Sequence, residues 1–160
     1  MFRDRFTPRR FRWYGGSLAS ELSQGVRSKF VLSDTLRFLS EIDGVCLTGT
    51  IECEGGIRIE VEERLRYVRG GFFVPRDTIE LVFYRYNMVL RNESLVFRYN
   101  SPHKDHNQFH HVHRYDVPGT GEQIKPPTRL RERDVPTLRQ VLQEAERWYY
   151  QNVASSEAVR

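Results

Sequence analysis

Cysteine, long apolar runs and histidine outside one short stretch are scarce in this chain, and each scarcity excludes something. The two cysteines, Cys46 and Cys53, form no C-x-x-C pair. That leaves no disulfide framework and no cysteine zinc site, and it suits free thiols in a reducing cytoplasm. No apolar run approaches the ~18 residues that a membrane span needs, and the N-terminus lacks the apolar region of a secretory signal. The expectation is a cytoplasmic protein with no membrane partner. A chain of 160 residues, 39% hydrophobic and 12% aromatic, is expected to fold as one domain around its own core. The mean hydropathy of -0.60 points to polar tails.

The net charge of +4 is unevenly spread. Residues Met1 to Gly16 carry Arg3, Arg5, Arg9, Arg10 and Arg12 against Asp4 alone, so the other residues are neutral overall. This arm interleaves its arginines with Phe2, Phe6, Phe11, Trp13 and Tyr14. Guanidinium groups neutralise phosphates and aromatic faces stack on unpaired bases, a composition suited to single-stranded nucleic acid. The alternative is a flexible terminus whose aromatics dock on the parent domain or on a partner.

The pattern over residues 17–153 predicts one α+β domain: an antiparallel β-meander of about four strands, a C-terminal helix packed on one face and a helical N-terminal extension. Ser17 to Gln24 reads as a short helix ended by Gly25. A second helix signal begins at Asp34 as N-cap, with Leu36, Leu39 and Ile42 along a stripe and Gly44 just past its end. From Val45 the period changes to two. Cys46 to Glu54, the Gly55-Gly56 turn and Ile57 to Glu62 read as a hairpin, followed by strands over Thr78 to Leu90 and Ser94 to Tyr99. Prolines and glycines between Pro118 and Pro127 forbid long regular structure. Asp134 is the expected N-cap of the last helix, whose apolar stripe is Leu138, Val141, Leu142, Ala145, Trp148 and Tyr149. Residues 154–160 are expected to fray.

All five histidines, His103, His106, His110, His111 and His113, fall within eleven consecutive positions. Imidazole donates, accepts or carries charge near neutral pH and is the commonest metal ligand. In an extended His111-Val112-His113 the two rings point together and His110 points the opposite way. These rings, with His103 or His106, could bind zinc or another divalent ion. They could equally serve as proton donor and acceptor on phosphodiester RNA, or form a solvated polar loop.

Two further residues bear on a site. Alternation along Ile57 to Tyr67 puts Glu63 on the apolar face, where burial would raise its pKa and suit it to acid–base work. A β-bulge at Glu62-Glu63 would instead turn it to solvent. Arg98, near the end of the fourth strand, can clamp a phosphate, or can pair with a neighbouring carboxylate such as Glu60 or Glu80.

From about Gly49 to Tyr150 the chain resembles the TumE family, the toxin halves of type II toxin–antitoxin pairs. The landmarks are the strand ending in Glu62-Glu63, the tyrosine-rich Tyr84-Arg-Tyr86, then Arg98-Tyr-Asn-Ser-Pro-His103, the cluster His110-His-Val-His113 and a leucine-rich C-terminal helix. Asn100 stands where the family usually has aspartate, and Val112 where it usually has lysine. The resemblance implies a small cytoplasmic toxin neutralised by a cognate antitoxin, often one with a helix-turn-helix domain.

Two functions are therefore expected in competition. One is a ribonuclease toxin using His103, His111, His113, Glu63 and Arg98. The other is a non-catalytic module of the same fold, in which His103, His106, His111 and His113 hold a metal and the arm, with Trp13, holds nucleic acid or a partner.

Overall fold

The computed structural model describes residues 29–68, 78–103, 109–117, 119–124 and 126–154. Eight strands form one antiparallel sheet, and the only α-helix among the described residues is near the C-terminus. The strands are β1 (Val31–Asp34), β2 (Arg37–Glu41), β3 (Gly44–Cys53), β4 (Ile57–Val68), β5 (Thr78–Val89), β6 (Leu95–Asn100), β7 (His111–Arg114) and β8 (Thr128–Arg129). Their order is β1-β3-β4-β5-β6-β7-β8, with β2 also on β3. The architecture is sheet-dominated, which corrects the expected α+β fold of about four strands with a helical N-terminal extension.

The correction is clearest at residues 34–44. Asp34 caps a turn rather than a helix: its Oδ1 accepts from the backbone N–H of Leu36 at 3.1 Å. This is the local bond by which aspartate favours turns. The chain then runs back along the same edge of β3, with Arg37 opposite Thr48 and Glu41 opposite Gly44. Leu36, Leu39 and Ile42 had suggested a buried helical stripe, but Leu39 is exposed and Ile42 fully so at the hairpin tip. The open edge of β3 captures this segment, and tertiary pairing outweighs a short helical spacing. Ser17 to Gln24 and the arm of residues 1–16 lie outside the described residues, as do residues 155–160.

Where alternation is long it is realised. β3 and β4 pair from Gly44 opposite Arg66 to Cys53 opposite Ile57, and β4 pairs along its length with β5. One face of these strands carries Ile57, Ile59, Val61, Glu63 and Leu65, all buried. A register shift does occur beside Glu63, but Val82 on β5 is its extra residue, between the pairs Arg64–Phe83 and Leu65–Leu81. The alternation of β4 is untouched, so Glu63 stays inward.

Helix α1 (Leu138–Tyr149) covers this apolar face with Leu138, Val141, Leu142 and Ala145. Each large aliphatic side chain buried there contributes about 1.5–3 kcal/mol. Its N-cap is Thr137, three residues beyond the expected Asp134. Thr137 Oγ1 accepts from the Gln140 N–H and Gln140 Oε1 accepts from the Thr137 N–H, a reciprocal capping box. Asp134 instead ends a short 3-10 turn and holds Arg131 at 2.6 Å. Tyr99 donates to Glu144 at 2.7 Å, and Arg114 pairs with the same carboxylate at 2.6 Å, tying α1 to β6 and β7.

Gly44 is required by space: a Cβ there would run into the Leu65 carbonyl and backbone. Gly44→Ala is expected to cost about 1–3 kcal/mol, the usual penalty for forcing atoms into packed surroundings. Urea denaturation measures it, and an unchanged midpoint would contradict the close approach of β3 to β4.

Candidate functional site

The pleat sorts the expected site residues onto two faces, because paired residues on adjacent strands share a side of the sheet. Glu63 is opposite Tyr84, and Tyr86 is opposite Tyr99, which is opposite Val112; all belong to the face under α1. The reverse face carries two polar rows. One runs Glu62, Arg85, Asn100, His111 and Arg129; the other runs Glu60, Asn87, Arg98 and His113. Arg98, His111 and His113 therefore come together, as expected, whereas Glu63 lies across the sheet from them.

On the reverse face the imidazoles are held in defined states. His111 is 2% exposed and its Nδ1 lies 2.7 Å from the Phe109 carbonyl oxygen. A carbonyl only accepts, so the ring's proton is on Nδ1 and Nε2 is its basic nitrogen. That Nε2 faces the Asn100 side-chain amide at 3.4 Å. His113, 4% exposed, places Nδ1 2.8 Å from Gln123 Oε1, which puts its proton on the same nitrogen. The His103 and His113 rings each lie 5.0 Å, centroid to centroid, from that of His111, and His103 is partly open to solvent.

Arg98 differs from the arginines around it. Glu60 accepts from Arg58 and Asn87, Glu80 pairs with Arg66, and Glu62 pairs with Arg64 and Arg85. The expected pairing of Arg98 with Glu60 or Glu80 is not made. No carboxylate among the described residues pairs with Arg98, and its buried Nε has no hydrogen-bond partner there. Its cross-strand neighbours, Asn87 and His113, are polar and carry no negative charge. A half-buried guanidinium in such company is suited to an anion.

The α1-side face holds a second cluster. Tyr86 donates to Glu63 Oε1 at 2.6 Å, and the Tyr84 hydroxyl meets His110 Nδ1 at 3.1 Å. The Tyr84 ring stacks on Tyr86 at 5.5 Å and on His110 at 5.6 Å. Burial raises the pKa of Tyr84, so its hydroxyl keeps its proton. Neither cysteine is an activated nucleophile: burial pushes Cys53 up to about 12 and raises Cys46 as well.

Among the described residues no group of three or more His, Cys, Asp or Glu side chains is placed to hold a metal ion. His106, in the expected ligand set, lies outside them, as do Arg3, Arg5, Arg9, Arg10, Arg12 and Trp13. Gln123, Asn87, Phe109 and Arg129 join the site without having been legible as members. Phe109 directly precedes His110 in the chain, whereas only cross-strand pairing brings Asn87, Gln123 and Arg129 beside the histidines.

Burial lowers the pKa of His110 from its ordinary value. A neutral buried histidine contributes stability above its unfolded pKa of about 6.5, and that contribution is lost as pH falls through the lower folded value. His110→Gln is therefore expected to reduce the loss of stability between neutral and mildly acidic pH, read from denaturation midpoints. An undiminished loss would place the acid sensitivity elsewhere. Comparison of the chain with known protein families, curated proteins and solved structures gives no match.

Proposed function

We propose that this protein is the toxin of a type II toxin–antitoxin pair, acting in the cytoplasm by cleaving RNA at the reverse face of the sheet. It is neutralised by a cognate antitoxin, one with a helix-turn-helix domain by the TumE resemblance. The observation that carries this reading is Arg98, a guanidinium without a carboxylate partner among the described residues, set beside an imidazole pair whose protons both sit on Nδ1. Transfer at phosphorus needs a base, an acid and a charge clamp. The 2′-hydroxyl oxygen bonds to phosphorus as the P–O5′ bond breaks. One imidazole takes the 2′-hydroxyl proton, and the other, protonated, gives a proton to the departing 5′-oxygen. Arg98 holds the phosphoryl oxygens, and the products are a 2′,3′-cyclic phosphate and a 5′-hydroxyl. His111 and His113 are buried, so substrate reaches them from the open side marked by His103 and Arg129.

Asn100 favours a second reading, a nucleic-acid-binding module without catalysis. An aspartate at that position would support a charged His111, whereas the amide supports a neutral ring through its N–H donor.

Purified protein is expected to cleave RNA and to go on doing so in chelator. His111→Ala, His113→Ala and Arg98→Ala are each expected to lower the rate at least ~100-fold. Glu63→Gln, on the other face, is expected to keep most of it. Asn100→Asp is expected to move the acid limb of the pH–rate profile upward, because a carboxylate makes His111 easier to protonate. Undiminished cleavage by a folded His111→Ala/His113→Ala protein would remove the pair from the chemistry. Binding without cleavage by the wild type would leave the second reading.

A further inference from the structure

At the start of β7 the surface opens into a groove of about 360 Å³, bounded by Pro102, Phe109, His110, Arg129, Leu130 and Glu132. A second hollow of about 300 Å³ meets it at Pro102 and His110. The Arg129 guanidinium carbon lies 3.5 Å from the centroid of the Phe109 ring. Both side chains are exposed, and no carboxylate among the described residues pairs with Arg129. Arg131, the other arginine at the groove, is bound to Asp134.

We propose that this groove is a base-binding subsite for one nucleotide of single-stranded RNA, with the Phe109–Arg129 stack as its platform. A planar guanidinium on an aromatic ring presents a flat cationic surface, the arrangement on which unpaired bases stack whatever their sequence. The walls contributed by Pro102, Phe109 and Leu130 are apolar, so the base enters the groove and the phosphate lies outside. Register gives the direction. Arg129 is opposite His111, about 5 Å away across one strand spacing. A base in the groove therefore carries its phosphate toward His111 and Arg98. The subsite rests on the reading of the histidine face as an RNA site, and it supplies the entry that the buried imidazoles need.

The test uses the full chain with a labelled single-stranded oligoribonucleotide and the same sequence as a duplex, read by fluorescence anisotropy. Phe109→Ala and Arg129→Ala are each expected to weaken single-strand binding roughly tenfold, the scale of one base–aromatic stack. Phe109→Trp is expected to retain affinity. Arg129→Lys keeps the charge but not the plane, and is expected to lose affinity with little change in salt dependence. Wild-type affinity in Phe109→Ala and Arg129→Ala, or in Arg129→Lys, would overturn the subsite and leave the RNA reading standing. A wild-type protein that binds no single-stranded RNA would overturn both.

Discussion

The pairing of β6 with β7 is the constraint on which the rest of the site depends. It sets Arg98 opposite His113 and Asn100 opposite His111. A slip of one residue would turn both imidazoles under α1 and bring Val112 to the polar face. What holds the register is packing on the other side. Phe97, Tyr99 and Val112 are buried in the core with Leu138, Val141 and Ala145 of the helix. The Tyr99–Glu144–Arg114 contacts then fix β6, α1 and β7 together. The ion pair is partly exposed and worth at most about 1 kcal/mol. Burying the apolar side chains contributes several times that, so apolar packing sets the geometry of the polar site behind it.

A sheet with polar residues buried on one face incurs a desolvation cost that must be offset by pairing. Most of that face obeys: Asn87 donates to Glu60, Arg85 pairs with Glu62, and Gln123 holds His113. Arg98 lies outside this pairing, with a buried Nε that has no partner among the described residues, next to Asn87, whose Oδ1 is in the same condition. These unmatched polar atoms beside oriented imidazoles are the ground on which this face is proposed as the site.

The neighbourhood of Glu63 separates two inferences that look alike in the sequence. That its side chain points inward is the reading that unbroken alternation through Leu65 favours over a bulge, and the residue is 2% exposed. That it belongs with Arg98 did not follow. Residues of different strands share a face according to register, and β4 reaches β6 only through β5. Two pairings place Glu63 with Tyr84 and Tyr86, on the side away from the histidines.

The sequence by itself determined β3 to β6 and the apolar stripe of the last helix, and its alternation favoured the inward turn of Glu63 over a bulge. In each case the information is local: a period of two or of 3.6, carried over enough residues to outweigh chance. Tertiary structure alone decided the strands β1, β2, β7 and β8, which are two to five residues long and rich in polar side chains. Such segments have no stable conformation of their own. They become strands because an open edge of β3, β6 or β7 supplies the hydrogen bonds that their backbones require. The same pairing decided which side chains meet, since cross-strand neighbours are set by register and register by the burial of the opposite face.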